Sequence, residues 1–562
     1  MPLKPLAALL IFASTSVYAQ SPNASVRSIA RFPFEYTGLV ASGPARVGVQ
    51  LIDEGKRATV RGDEMGALDV AIDSVIAAHN VGLTFTVPVA RSVIARPEGP
   101  TIIYSHPAFT VREHVFATLN EPAALIVIEI ETVRPLTFSL SSPSTVFAFD
   151  SARAASQYVA VAFVRADEAD TLRAQLLNDV HARWQQKVSY YRKVLSDGVQ
   201  VDAVETRVVQ ALQWAKVAAD RNAAATAKFN DLTFDPPDEL ELERLLAEHA
   251  SSATTADWGI REELHHDSTF DAAHQPPGAV SPTATANIAA QNYMVHRDWT
   301  AFDLVRDLSR ETFDFVRGRL PRQLSGAYYQ SLDTVPIADV WAAAAFVRAI
   351  EQGMVGWQAD AQHHAAALEP HMPAEWPDMH IGNLRVGQDR LDATLARENG
   401  VFSINLHRLT SGAPMFLRVA PALPLGSRID RIVVNDSDVP VQSEESLHDV
   451  HAVAEVRLTG DAQIEVHYEG GIDVLTPPEH VDIGEASHEL KILDFRRDQK
   501  DYLITVEGIA ASAYSVQMRS GWRVRSVVGS DGIDQTGERV TIRFTMPQGV
   551  GFVRKTLRVR VY

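Results

Sequence analysis

Carboxylates in turn-rich segments are the first residues of this sequence that could do chemistry. Hydrolysis of a glycosidic bond needs two carboxyl groups beside that bond, one that donates a proton and one that acts as a base or nucleophile. A catalytic pair could be drawn from Asp238, Asp257 and Glu262. The competing interpretation is that these are solvated surface acids, the usual environment of carboxylates in so acidic a chain.

Aromatic residues follow in segments that are predicted to be loops or helix starts. Trp258, Tyr328, Tyr329 and Trp341 could stack on pyranose rings, while Arg261 could hydrogen-bond sugar hydroxyls. Such a polar groove with aromatic walls would suit an oligosaccharide or glycan. The alternative is that these aromatic side chains belong to the core, because large aromatic residues are highly buried on average.

Histidines raise the question of a metal site. They occur in the His-His-Asp sequence at 265–267, as the pair His363-His364, and as His371. Adjacent side chains point in different directions on a helix or a strand, and no His-x-Glu-x-x-His type of spacing is present. The chain also has no cysteine. We therefore expect no metal site and no cofactor.

The charge balance and the first residues bear on partners and location. A formal net charge of −18 provides no basic surface for nucleic acid or for an anionic membrane. Lys4 precedes a short apolar run, and Ala19 follows small polar residues, which is typical of a signal peptide over residues 1–19. We expect an exported protein, periplasmic or secreted, with no insertion into a membrane.

The elements that would position these residues indicate a multidomain α+β protein. Period-two and fully apolar runs predict an N-terminal β-sandwich over residues 20–182. Helical spacing over residues 183–377 predicts about six helices, including Asp202 to Asn222 and Glu239 to His249. Strand patterns then return, predicting one β-domain over residues 378–470 and another over residues 471–562.

Several segments resemble bacterial amylo-α-1,6-glucosidases, the glycogen-debranching-enzyme-like glycoside hydrolases of the six-hairpin (α/α) toroid type. The segments that carry the resemblance are Ala211 to Asp220, Asp257 to Arg261, Pro277 to Pro282, Leu324 to Gln330 with Trp341, and Glu369 to Trp376 with Asn383 to Gly387. The resemblance implies hydrolysis of α-glucosidic linkages, with Trp258, Arg261, Tyr328, Tyr329 and Trp341 lining the sugar groove.

This sequence also departs from the family pattern. Only one short helix fits between Asp220 and Asp257, so the helical domain is a reduced toroid. Arg322 stands where the family places a glutamate base, and arginine cannot accept a proton. The alternative is thus a non-catalytic, glycan-binding or structural pseudoenzyme. Helix faces exposed by the shortening would favour self-association.

Overall fold

The computed structural model describes residues 24–29, 32, 35–142, 144–149, 157–165, 170–220, 239–262, 278–333, 337–477 and 481–562. The chain divides into two compact units, one ending at Arg192 and the other beginning at Lys193. The predicted signal peptide, Asp238 and the histidines at 265–266 lie outside the described residues. No helix in the described ranges is long and apolar enough to cross a membrane.

Antiparallel β-sheets make up most of the first unit. Its strands are β1 (Ala24–Ile29), β2 (Ala41–Pro44), β3 (Gln50–Glu54), β4 (Ala58–Asp63), β5 (Leu68–Ile72), β6 (Val75–Val81), β7 (Leu83–Phe85), β8 (Ala90–Ala95), β9 (Thr101–His106), β10 (Phe109–Ala117), β11 (Ala123–Thr132), β12 (Leu136–Leu140), β13 (Thr145–Phe149) and β14 (Gln157–Val164). They form a seven-stranded sheet in the order β1-β14-β11-β10-β9-β8-β2, and smaller sheets β13-β12-β7 and β3-β4-β5-β6. The predicted predominance of β-strands in this part of the chain is therefore confirmed.

The apolar run in β11 explains how this sheet is covered. Residues Leu125 to Ile128 are fully buried in succession, so both faces of the strand are packed. Two helices follow the sheet, α1 (Asp170–Asn178) and α2 (Val180–Asp197). The buried Trp184 of α2 packs edge-on against Phe116, with ring centroids 5.2 Å apart. The helices therefore close one face of the seven-stranded sheet.

The second unit contains a group of mutually packed helices. These are α3 (Thr206–Asp220), α4 (Glu239–His249), α5 (Pro282–Met294), α6 (Asp298–Asp314) and α7 (Val340–Arg348), which continues as a π-helix (Ala349–Met354). Ala342 to Ala345 are buried in α7, and alanine at these positions lets neighbouring helices approach closely. Gly353 serves the same purpose, because a Cβ there would lie 2.5 Å from the ring of Tyr293.

The β-structure of the second unit begins before the helices and continues to the end of the chain. Its strands are β15 (Gln200–Ala203), β16 (Thr255–Ala256), β17 (Gly259–Ile260), β18 (Trp357–Asp360), β19 (Ala365–Leu368), β20 (Asp378–Val386), β21 (Asp389–Glu398), β22 (Val401–Arg408), β23 (Met415–Val419), β24 (Ala422–Leu423), β25 (Arg428–Val434), β26 (Ser437–Val439), β27 (Gln442–Glu445), β28 (Val450–Leu458), β29 (Ala462–Glu469), β30 (Ile472–Val474), β31 (Lys491–Asp498), β32 (Asp501–Ile509), β33 (Ala513–Ser520), β34 (Val524–Val528), β35 (Gly532–Thr536), β36 (Arg539–Thr545) and β37 (Phe552–Val561).

These strands form two successive groups of sheets. The first group contains the seven-stranded sheet β15-β20-β21-β22-β29-β25-β26 and the sheet β18-β19-β23-β28-β24, and it shares one continuous core with the helices. The second group contains the four-stranded sheets β30-β33-β36-β35 and β31-β32-β37-β34, which enclose a core of their own. Strands β16 and β17 pair separately.

Most predicted elements of the second unit are present, with shifted ends. The helix Glu239–His249 has the predicted bounds. The helix predicted from Asp202 begins instead at Thr206, because Asp202 belongs to strand β15 and pairs there with His380 of β20. The packed helices do not confirm a toroid. The helical segment and the first β-group share a core, so a boundary drawn at residue 377 crosses continuous packing.

Candidate functional site

A small cavity in the second unit is lined by carboxylates, histidines and an arginine. Its volume is about 40 Å³, which is room for a few water molecules and well below the roughly 300–1,000 Å³ of pockets that enclose a drug-sized ligand. The lining residues come from the start of α6, the loop after residue 371, β21, the segment before β28, and β30. The charged and ionisable members include His296, Asp298, Glu375, Arg397, Asp449 and Asp473.

His296 is held in an unusual backbone conformation. It lies between the end of α5 at Met294 and the start of α6 at Asp298, and its φ is +63°. The left-handed region costs an L-residue about 1–2 kcal/mol, so the surrounding structure must hold the backbone there. Its N–H donates to the Tyr293 carbonyl at 3.1 Å. Residues in such conformations gather at functional sites.

Asp449 and His451 meet His296 at the start of β28. The three atoms His296 Nδ1, Asp449 Oδ2 and His451 Nε2 lie 3.0 to 3.2 Å from one another. Asp449 Oδ1 faces the other way and accepts a hydrogen bond from Ser446 Oγ at 2.7 Å. Burial raises the pKa of Asp449, but its contacts with His296 and His451 outweigh burial and hold that pKa well below its usual range.

His371 completes the group from the loop that follows β19. Its backbone N–H donates to the Met354 carbonyl at 2.9 Å, so the π-helix sets its position. Its Nδ1 lies 2.9 Å from Asp298 Oδ1, yet both atoms are buried without a hydrogen bond of acceptable angle to any described residue. Its ring centroid is 5.5 Å from that of His296.

Two further carboxyl groups line the same cavity. Burial raises the pKa of Glu375, although the Thr476 N–H donates to its Oε1 at 2.6 Å. Burial likewise raises the pKa of Asp473, although Arg397 donates to its Oδ2 at 2.7 Å. Acidic groups with raised pKa values in a cleft are candidates for proton transfer. The cavity can therefore supply both proton donors and charged acceptors.

The predicted catalytic carboxylates are not in this cavity. Asp257 is buried, with its Oδ1 accepting from Lys491 Nζ at 2.9 Å and its Oδ2 from the His488 and Glu489 N–H groups. Burial raises the pKa of Asp257, but the charge of Lys491 and the N–H groups outweigh it and lower that pKa. Glu262 is exposed, and Asp238 is outside the described residues. Asp257 thus has its acceptor atoms occupied by structural partners.

The predicted sugar-stacking residues divide between the core and the surface. Trp258 and Tyr329 are fully buried, so protein covers their ring faces in this structure. Trp258 Nε1 donates to the Ser325 carbonyl at 2.8 Å. Arg261 is also used locally, donating from Nε to the Gly326 carbonyl at 2.9 Å. Tyr328 and Trp341 are exposed, at 51% and 41%, but neither lines the cavity.

The segments that carry the family resemblance do converge. Arg261 bridges to Val280, and Val280 bridges to Leu324, so three of them form one small ladder. The segment Glu369 to Trp376 instead supplies Glu375 to the cavity and His371 to the group of His296, Asp449 and His451. Arg322, which the resemblance aligns with the glutamate base of the debranching-type enzymes, forms an ion pair with Asp333 at 2.6 Å.

The histidine cluster was not visible in the sequence pattern. Its members are His296, His371, Asp449 and His451, which are spread over the 155 positions from His296 to His451, and their spacing follows no motif. Only His371 stood out, because it lies in a segment that carries the resemblance. The exposed His363 and the partly buried His364 contact the carboxylates of Asp360 and Asp389, away from this cluster.

Comparisons with known proteins give limited similarity. No protein-family model matches the sequence, and no curated protein matches it either. Among solved structures, Ara127N-Se, a GH127 β-L-arabinofuranosidase from Geobacillus stearothermophilus T6, is 10% identical with a TM-score of 0.24. The match covers 65% of this chain and 58% of that enzyme, so the chain spans little more than half of its length.

Two other solved structures are also similar to parts of the chain. A putative kojibiose phosphorylase from the human microbiome is 7% identical, with a TM-score of 0.30 over 78% of this chain and 99% of that one. A protein described as a glycoside hydrolase is 10% identical, with a TM-score of 0.25 over 68% of this chain and 79% of that one. The three descriptions are of carbohydrate-active enzymes. Scores at this level do not establish a shared fold.

Proposed function

We propose that this protein is an exported glycoside-hydrolase-like enzyme whose reaction centre is the cavity lined by Glu375 and Asp473. The observation that carries the proposal is that two carboxyl groups with raised pKa values line one cavity. Glycosidases need such a pair, and their proton donor needs a raised pKa. The resemblance described above adds the expectation that the bond is α-glucosidic, with an α-1,6 linkage as the first candidate.

The surroundings of the two carboxyl groups suggest different roles. Arg397 lies 2.7 Å from Asp473 and favours its charged form. Asp473 is therefore our candidate for the base or nucleophile. Glu375 accepts a backbone N–H and has its neutral form favoured by burial, so it is our candidate for the general acid. The cavity is too small for a sugar ring, and we expect the sugar to bind at its mouth with a reacting group reaching inside.

The experiment is an assay of sugar release from α-1,6- and α-1,4-linked oligosaccharides. We expect wild-type protein to turn over at least one linkage, and Glu375→Gln and Asp473→Asn to lower kcat by about 10²–10⁴-fold, the usual contribution of general acid–base catalysis. Glu262→Gln is the matched control, because Glu262 is an exposed carboxyl outside the cavity. Its turnover should equal that of wild type.

Two results would count against this assignment. Turnover that survives in Glu375→Gln and Asp473→Asn would place the chemistry elsewhere. Sugar binding by calorimetry without turnover in wild type would instead favour the glycan-binding pseudoenzyme.

A further inference from the structure

We infer that His296, His371, Asp449 and His451 form a binding site for a divalent transition-metal ion, with Zn²⁺ as the best fit. One potential ligand atom from each of the four residues lies within 4.8 Å of all the others. Asp449, His371 and His451 are buried, and His296 is partly exposed. This inference is independent of the proposed hydrolase activity, because metal binding is measured without substrate.

The spacing of three of these atoms fits a bound ion. His451 Nε2 lies 3.0 Å from both His296 Nδ1 and Asp449 Oδ2, and the remaining distance is 3.2 Å. In a tetrahedral Zn²⁺ site with bonds of about 2.0–2.1 Å, neighbouring ligand atoms are about 3.3–3.4 Å apart. A small outward movement would therefore bring these three atoms to the spacing of a bound ion.

Hydrogen bonds on the far side of the cluster orient its ligands. His451 Nδ1 lies 2.8 Å from the Ala420 carbonyl, which can only accept, so this nitrogen carries a hydrogen. That arrangement leaves the Nε2 lone pair of a neutral ring directed at the cluster. Asp449 Oδ1 is held by Ser446 while Oδ2 faces the histidines. Metal ligands are commonly fixed in this way by a carbonyl or hydroxyl behind them.

Without an ion, the hydrogen bonding of the cluster is incomplete. His296 Nδ1 and His451 Nε2 are 3.0 Å apart while both face Asp449 Oδ2. If both nitrogens donate to Asp449, their hydrogens crowd each other; if one accepts from the other, one contact with Asp449 is lost. A cation would accept all three lone pairs at once.

His371 provides a second, independent observation. Its side chain is only 8% exposed, and its Nδ1 lies 2.9 Å from Asp298 Oδ1. Carboxylates often stand in this way behind metal-binding histidines, next to the ring nitrogen that does not bind the ion.

The ligand types decide which ion fits. Three imidazoles and one carboxylate suit Zn²⁺ and related ions, whereas Mg²⁺ and Ca²⁺ prefer sets made of oxygen atoms. The adjoining cavity of about 40 Å³ also leaves room for a water ligand. The competing interpretation is a buried ion pair of Asp449 with protonated histidines, which would need no metal.

The test is to strip the full-length protein with a chelator and titrate it with Zn²⁺ and with Co²⁺. We expect one ion per chain by elemental analysis and the visible absorption of tetrahedral Co²⁺. Asp449→Asn and His451→Asn should weaken binding by more than about 100-fold, since changes behind a ligand alone cost about 10–100-fold. His407→Asn is the control, because His407 lies exposed beside Asp461 on β22.

A wild-type protein that binds neither ion, or variants of the cluster that bind as tightly as wild type, would overturn the inference in favour of the ion pair. If the variants do not fold, as judged by circular dichroism, the Co²⁺ spectrum of wild type decides alone. Its tetrahedral bands would support the site, and their absence would refute it.

Discussion

Replacement of Asp257 by asparagine should destabilise the protein rather than remove a catalytic group. The Asp257 side chain is 0% exposed and forms an ion pair with Lys491, which is 8% exposed. Asparagine would leave the Lys491 charge buried without its partner. Removing one partner of a buried pair costs about 3–5 kcal/mol, so we expect a loss of that size in the free energy of unfolding.

The assay is urea unfolding followed by tryptophan fluorescence and circular dichroism. The double variant Asp257→Asn/Lys491→Met removes the unpaired charge and should recover part of the loss, with a coupling of about 0.5–3 kcal/mol. A cost below about 1 kcal/mol would contradict the importance that we give to this pair. Lost turnover at unchanged stability would instead restore Asp257 as a catalytic carboxylate.

The same pair predicts a dependence of stability on pH. The folded pKa of Asp257 is lowered, so its contribution is present above its unfolded pKa and is lost as pH falls through the folded value. The folded pKa of Lys491 is raised, so its contribution is present below its unfolded pKa and is lost as pH rises through the folded value. The contribution of the pair should therefore be full between about pH 4 and 10. In Asp257→Asn, the loss on acidification should be smaller than in wild type.

Two further predictions concern the helical segment. Burial lowers the pKa of Lys216 to about 8, despite the charge of Glu351. The stability of the protein should therefore increase as pH rises from about 8 towards about 10.4, the pKa of lysine in the unfolded chain. Thermal unfolding of Lys216→Met should lack this increase. Gly318 has φ +77°, and a Cβ would lie 2.7 Å from the Trp214 ring. Gly318→Ala should cost about 2–4 kcal/mol in urea unfolding, but Gly537→Ala only about 1–2, because no atom lies within 4 Å there. Equal costs would refute the steric argument.

The secondary structure could be read from local patterns because periodicity reports which face of an element is buried. The helix Glu239–His249 has the expected bounds, and β11 follows the apolar run that predicted it. The ends of elements differ from the prediction where strand pairing determines them, as at Asp202, which pairs in β15 instead of starting a helix. Local pattern thus determined the type of element, and tertiary contacts determined its limits.

The functional residues were much less accessible to sequence reasoning. Trp258 and Tyr329 lie in segments that carry the family resemblance, yet the structure uses them as core. His296, Asp449 and His451 come together because the connection between α5 and α6 packs against the start of β28. The spacing of these residues along the chain carries no information about this packing. Their contact could therefore not be predicted from the sequence.

The central claim is that the cavity beside the histidine cluster is where the protein acts. The most direct measurement is kcat on α-1,6- and α-1,4-linked oligosaccharides for wild type, Glu375→Gln and the control Glu262→Gln. We predict that wild type and Glu262→Gln release sugar at equal rates while Glu375→Gln is at least about 10²-fold slower. Equal rates in Glu375→Gln and wild type, or a loss confined to Glu262→Gln, would contradict the account.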